Sequence, residues 1–305
     1  MLTVAAYSRA QLGARLAGRG IHLQTGAFVT CVKSTVARVA DGISLLYADY
    51  PVLEQAEFAD FHVSLHQAGG VRRWFRPQVR LDYDGVSPFQ PLPVAQAFPM
   101  FEWTLNWCVS SHAHRYLCIH AAVVEKNGHA VILPAPPGSG KSTLCAALVS
   151  KGWRLLSDEL TLVRLGTGEL VPLVRPISLK NASIDIIRRY APDSVFSPVV
   201  DDTVKGSIAH LKAPADSVAR AGQCARPAWI IFPKYTAGAS AQLQPIAPAR
   251  AFMRLAENAF NYSLLGSAGF AALGDVIDAS LSYEFTYSAL DDAIDIFSRL
   301  TPPGQ

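Results

Sequence analysis

The residues with the clearest chemical potential stand together at Ala135-Pro136-Pro137-Gly138-Ser139-Gly140-Lys141-Ser142-Thr143. A glycine-rich turn ending in Gly-Lys-Ser lets successive backbone N–H groups, from Gly138 to Ser142, converge on phosphate oxygens with the positive end of a helix behind them. Lys141 adds a mobile ammonium, and Ser142 a hydroxyl suited to Mg²⁺. Gly138 and Gly140 permit backbone angles that a Cβ would block. The apolar run Ala130 to Leu133 precedes the turn and a helical run, Thr143 to Lys151, follows it, which is the strand, loop and helix order of a P-loop. Two departures matter. Ala135 stands where a first glycine is usual, and Pro136 and Pro137 donate no N–H. Phosphate contacts are therefore expected from the later half: Gly138, Ser139, Gly140, Lys141, Ser142 and Thr143.

Beyond that helix, Gly152 can cap its end, and Trp153-Arg154-Leu155-Leu156-Ser157 reads as a strand delivering Asp158 and Glu159. A carboxylate there can hold Mg²⁺, as Ser142 can, or accept a proton from an attacking hydroxyl. Neighbouring strand side chains point to opposite faces, so both acids serve one site only if the strand has ended at Asp158. The alternative is a solvated acidic turn. His120 lies within the apolar run Leu117 to Val124, where a histidine on its own reads as a core or strand-edge residue. Arg175, Lys180 and Lys205 sit among Pro, Gly and turn residues, suited to steadying a transferring phosphate or equally to being solvated charges. His112 and His114 lack companion metal ligands, and Phe101, Trp103 and Trp107 read as packing between two parts of the chain.

The elements that must position these groups can be read from periodicity. Ser8-Arg9-Ala10-Gln11 fits a capping box, Leu12 and Leu16 share a helix face, and Gly18 can end that helix before the strand-like Ile21 to Val32. That pattern favours folded structure over an organellar targeting peptide, although Arg9, Arg15, Arg19, Lys33 and Arg38 all precede the first acid, Asp41. Val36 to Tyr47 and Val94 to His112 have helical spacing, while Phe58 to Leu65 and Trp74 to Tyr83 read as strands. From Leu117 the texture changes to short apolar runs punctuated by Gly and Pro, the mark of an α/β layer. A boundary near residue 115 is expected, with an α+β domain over 1–115 and the catalytic domain over 116–305. Ala249 to Leu265 reads as one helix, followed by a strand Ser282 to Tyr287 and a helix Leu290 to Leu300.

Composition removes several function classes. The 305 residues carry 27 Lys and Arg against 24 Asp and Glu, a net charge of +3 too weak to drive nucleic-acid backbone binding. No apolar run approaches the roughly 20 residues a membrane-spanning helix needs. Five scattered cysteines without a C-x-x-C pair suggest neither a disulfide framework nor a thiolate zinc site, and favour a cytoplasmic location.

Taken in order and spacing, Cys118-Ile119-His120-Ala121-Ala122-Val123, the glycine-rich turn and Leu155-Leu156-Ser157-Asp158-Glu159 resemble the core of bacterial HPr kinase/phosphorylase, most closely the branch called HprK-related kinase A. Leu46 to Tyr50, Asn106-Trp107 and Arg175 to Lys180 extend the likeness. The resemblance implies an α/β P-loop kinase domain of the type shared with phosphoenolpyruvate carboxykinase, preceded by a smaller α+β domain. It implies ATP and Mg²⁺ as cofactors and a serine hydroxyl of a peptide or small protein as acceptor. By position, Lys141 and Ser142 match the nucleotide-binding pair, His120 a histidine near the transferred phosphate, and Asp158 the residue that activates the hydroxyl. Glu159 replaces a second aspartate, and Lys180 stands in place of an arginine. A PqqD-type peptide-binding protein is the implied companion, and a homo-oligomer is compatible. The rival readings are a nucleotide-gated scaffold without transfer, and a kinase of a free small molecule.

Overall fold

The computed structural model describes residues 2–54, 58–70, 75–136 and 138–304. The capping box forms: Ser8 Oγ accepts from the Gln11 amide while the Gln11 side chain accepts from the Ser8 amide, opening α1 (Arg9–Ala17), with Gly18 at its end. Ile21 to Val32 resolves into a hairpin of β1 (Ile21–Thr25) and β2 (Phe28–Ser34), which turns at Gly26-Ala27. Next come α2 (Ala37–Leu46), β3 (Val52–Leu53), β4 (Phe61–Gln67), β5 (Gln78–Tyr83), β6 (Leu92–Pro93) and the long α3 (Ala97–His112). Trp74, at the start of the strand expected over Trp74 to Tyr83, lies outside the described residues. The six strands form one sheet in the order β3-β1-β2-β4-β5-β6, against which the three helices pack.

The second part begins with β7 (Tyr116–Lys126) and β8 (His129–Pro134), followed by α4 (Lys141–Ser150), β9 (Arg154–Ser157), β10 (Leu160–Arg164) and β11 (Leu170–Val171). A three-stranded layer then interposes β12 (Ile177–Lys180), α5 (Ala182–Tyr190), β13 (Val200–Thr203) and β14 (Gly206–Leu211). After α6 (Ala215–Ala219) come β15 (Arg226–Tyr235), β16 (Gln242–Pro245), α7 (Pro248–Glu257), α8 (Tyr262–Leu265), α9 (Ser267–Asp278), β17 (Leu281–Tyr287) and α10 (Leu290–Ser298). The large sheet runs β11-β10-β7-β8-β15-β17-β16, with β9 also on β7. Within it β8, β15 and β17 are parallel neighbours, so the loop after β8 leaves from the carboxyl end of a parallel segment. Such ends of open α/β sheets form ligand crevices.

Both faces of this sheet are covered, which accounts for the near-continuous apolar strands. Along β7 the period of two is strict: Leu117, Ile119, Ala121 and Val123 join the cluster under α7 and α9, while Cys118, Ala122 and Val124 join the one that holds α4. His120 follows the second set, so the alternation itself turns it toward the α4 side. That same buried cluster continues without a break through Phe101 and Leu105 of α3 to Leu12 and Leu16 of α1. Each fully buried aliphatic side chain contributes about 1.5–3 kcal/mol.

The expected single helix over Ala249 to Leu265 is interrupted at Asn258 to Asn261. The chain leaves helical geometry there to pair with the edge of β7. His120 N donates to Asn258 O (2.8 Å), Phe260 N donates to Cys118 O (2.8 Å), and the Asn261 side chain spans Cys118 N and Tyr116 O at 2.9 Å each. Tertiary hydrogen bonds override a continuous helical pattern here, and they set Phe260 against the His120 ring at a centroid distance of 5.9 Å.

Among the described residues no helix is long and apolar enough to cross a membrane. All five cysteines are unpaired, and four are buried.

Candidate functional site

The glycine-rich turn connects the end of β8 to the first residue of α4. Gly138 and Gly140 have φ of 85° and 88°, the left-handed region where glycine is favoured. At Gly140 a side chain is also sterically barred: a Cβ would lie 2.5 Å from the Tyr287 hydroxyl and 3.2 Å from Tyr235 Cβ. Two neighbouring parallel strands brace the loop, since Tyr287 Oη donates to Gly140 O (3.0 Å) and Tyr235 N to Ser139 O (3.0 Å). Ser139 Oγ is buried without a partner, and its N–H is turned to the Pro136 carbonyl (3.3 Å). Ser142 and Thr143 are half-buried in the first turn of α4. Pro137 lies outside the described residues.

The acid pair occupies the step where the chain passes from β9 to β10. Both strands run antiparallel to β7, with Ser157 opposite Val123 and Leu160 opposite His120. Asp158 and Glu159 fall in the gap between these pairings, so the strand has ended before them and alternation no longer separates their side chains. Ser157 makes the step locally by accepting from Leu160 N (3.1 Å) through its hydroxyl. Lys141 Nζ reaches across from α4 to donate to the Asp158 carbonyl (2.9 Å).

The two acids have different environments. Asp158 is buried; its Oδ2 accepts from Ser178 N (3.1 Å) and its Oδ1 has no partner. Burial raises its pKa, against the opposing pull of the Lys141 charge. Glu159 accepts from Asn106 Nδ2 and faces Lys180 Nζ at 3.7 Å. Burial pushes its pKa up, but Lys180, Lys141, Lys205 and Arg175 together outweigh that and bring it down to about 2. His120 is held neutral, its pKa lowered to about 4 by burial and then by Lys141, Lys180 and Lys205, with Glu159 opposing. Burial likewise lowers the Lys205 pKa, while Glu159 opposes.

Three lysines from separate elements thus act on one carboxylate and one imidazole: Lys141 at the start of α4, Lys180 at the end of β12, and Lys205 in the β13–β14 turn. Arg175 also acts on the Glu159 charge but does not face the loop with the lysines. It is buried, with Nη1 donating to Glu102 O (3.1 Å) and Nη2 to Asn106 Oδ1.

Several site residues had no signal of their own in the sequence. Trp103 is not simple packing, because Lys205 Nζ lies 5.3 Å from its ring centroid and its indole N–H is unpartnered. Glu102, Asn106, Ser178 and His210 join it around a small cleft of about 10 Å³ beside the acid pair, room for about one water. Phe101 and Trp107 do pack internally, Trp107 edge-on against Tyr83, Phe89 and His112. His112 is fastened to the Cys108 carbonyl (3.1 Å).

Fold and site together define a mixed α/β chain, with three sheets among the described residues and a glycine loop and an acid pair facing each other across the start of a buried helix. The family model of the SynChlorMet cassette protein ScmC matches residues 97–170, about a quarter of the chain, from α3 through the acid pair to the start of β11. Among solved structures, the Hpr(Ser) kinase/phosphatase from Coxiella burnetii is similar at 13% identity, over 60% of this chain and 95% of that one, with a TM-score of 0.25. No curated protein matches the chain.

Proposed function

We propose that the chain is an ATP- and Mg²⁺-dependent kinase that transfers the γ-phosphoryl group to a serine hydroxyl of a peptide or small protein. The observation that carries this reading is the convergence of Lys141, Lys180 and Lys205 on Glu159, beside a glycine loop at a helix start. Three ammonium groups against the Glu159 and Asp158 carboxylates still leave an excess of positive charge where the loop can present N–H donors, the environment a polyphosphate needs.

Residues present fit the metal as well. Ser142 stands in the first turn of α4 beside the loop, and Asp158 Oδ1 is an unpartnered buried carboxylate oxygen. Mg²⁺ takes most of its ligands from phosphates and water, so a hydroxyl at the loop is a sufficient protein donor. When bound through Ser142 and the nucleotide's own phosphate oxygens, Mg²⁺ would supply charge neutralisation beside the acid pair.

The acids divide the remaining work. Both Glu159 oxygens face donors, and its pKa of about 2 makes it a poor proton acceptor, so it serves as the fixed counter-charge that spaces the lysines. Asp158 has the free oxygen and the raised pKa, which suit it to take the hydroxyl proton as general base. His120, neutral at physiological pH, adds no competing charge and can orient a phosphate oxygen or its proton. The amino-terminal domain over 1–115, a PqqD-type peptide carrier, a homo-oligomeric state and a cytoplasmic location belong to the same proposal.

Incubation with ATP, Mg²⁺ and serine-containing peptides encoded beside the gene, followed by mass spectrometry, tests it. A phosphoserine dependent on Lys141 is the expected result. Nucleotide binding with no transfer to any acceptor would instead identify a nucleotide-gated scaffold.

A further inference from the structure

The acid pair is held from a direction that the phosphate chemistry does not require. A line of hydrogen bonds runs from Tyr47, at the end of α2, and from α3 into Glu159. Tyr47 Oη donates to Glu102 Oε1 (2.6 Å), Arg175 donates to the Glu102 carbonyl and faces its carboxylate at 3.5 Å, and Arg175 also donates to Asn106 Oδ1. Asn106 Nδ2 then donates to Glu159 Oε2. The Asn106 amide is thereby committed at both ends, oxygen to a cation and nitrogen to an anion, an arrangement that no other side chain of its size reproduces.

Burying this much charge is poor economy for stability alone, since apolar replacements of buried ion pairs are often neutral or stabilising. The line ends at a carboxylate whose two oxygens are divided between Asn106 and Lys180. Without the Asn106 bond, one Glu159 oxygen is left without this donor and the carboxylate can rotate toward Lys180 and Lys205, neutralising the charges that face the loop.

We infer that Asn106 is a positioning residue, which holds the Glu159 carboxylate in one orientation so that Lys141, Lys180 and Lys205 stay spread for a polyphosphate. The inference rests on the reading of the lysine group as a phosphate site. It gives α3 a direct part in that site, through a residue to which the sequence assigned no role.

The test is calorimetry with Mg·ATP and with inorganic tripolyphosphate on the full chain, for wild type, Asn106→Leu, Asn106→Asp, Glu159→Gln and the double variant Asn106→Leu/Glu159→Gln. Asn106→Leu is expected to weaken both ligands by about tenfold or more. Asn106→Asp keeps the shape and the Arg175 contact but sets a second negative charge against Glu159, and its affinity should fall as well, most at low ionic strength. The double variant should bind no more weakly than Glu159→Gln alone, because Asn106 acts through Glu159. A merely structural role would instead give additive losses. If wild type binds both ligands and either single Asn106 variant, folded by circular dichroism, binds them equally well, the inference is overturned while the phosphate site stands. If wild type binds neither ligand, the phosphate site itself is overturned and the inference with it.

Discussion

Two buried charge clusters sit at opposite ends of β9. At its start, Arg154 lies opposite Glu125 of β7, Arg154 Nε bonds Glu125 Oε2, and its Nη1 donates to the carbonyls of Arg220 (3.0 Å) and Gln223 (2.9 Å). Gly128 N takes the other Glu125 oxygen, and Arg220 approaches at 3.5 Å. No buried unpartnered atom belongs to Glu125 or Arg154. At the far end, past Ser157, the same strand delivers Asp158 and Glu159 into a group where Trp103 Nε1, Asp158 Oδ1, Arg175 Nε, Ser178 Oγ and His210 Nε2 all lack partners. The first cluster is closed and fastens β7, β9 and the segment after α6. The second is polar and richer in cations, and its free polar atoms line a small cleft rather than join a closed protein network.

The contrast can be broken by mutation. The largest effect is expected at Lys141→Ala, which should abolish phosphoryl transfer in a discontinuous ATP assay; retained turnover with normal nucleotide binding would remove the role given to Lys141. Asp158→Asn should bind ATP nearly as wild type while kcat falls by roughly 10²–10⁴-fold, the range for a lost general base. Equal turnover in the two proteins would exclude Asp158 as base. At the closed end, Glu125→Ala strands Arg154 in the interior and should cost about 3–5 kcal/mol in denaturant unfolding, with kcat per folded molecule unchanged. A loss of activity without a loss of stability there would erase the distinction between the clusters.

The smallest effect concerns pH. The His120 pKa falls to about 4 in the folded chain from an ordinary value of 6.5. Between those values the unfolded chain binds the proton and the folded chain does not, so this contribution to stability is full above pH 6.5 and is lost as pH falls toward 4. His120→Gln should flatten the acid side of the melting profile by that amount. The imidazole resonance should titrate near pH 4 by NMR, and a midpoint above 6 would contradict the burial and the lysine environment described.

Much of the site's local framework was legible in the sequence because it is made of short-range contacts. The capping box at Ser8 and Gln11 and the positive φ at Gly138 and Gly140 are decided within a few residues. So is the end of β9 before the acids, for Ser157 and Leu160 make the turn themselves. The helix break at Asn258 to Asn261 was not legible, because the competing hydrogen bonds come from Tyr116 to His120, far away in the chain. The role of Asn106 was not legible for the same reason: the resemblance marked the residue, but a polar side chain in an apolar helix shows no task until its partners, Arg175 and Glu159, are known.

By its own content the chain specified a glycine loop between strand and helix, an acid pair after the next strand, and a histidine that alternation turns toward α4. Those are matters of backbone torsion, period and spacing, all settled locally. Tertiary structure alone decided that Lys180 and Lys205 meet Lys141 around Glu159, that Arg175 turns away to Glu102, and that α3 reaches the acids through Asn106. Such convergence depends on how sheets stack and which loops meet, and the electrostatic consequence, one acid near pKa 2 beside another pushed up, exists only once burial and the lysine charges act together.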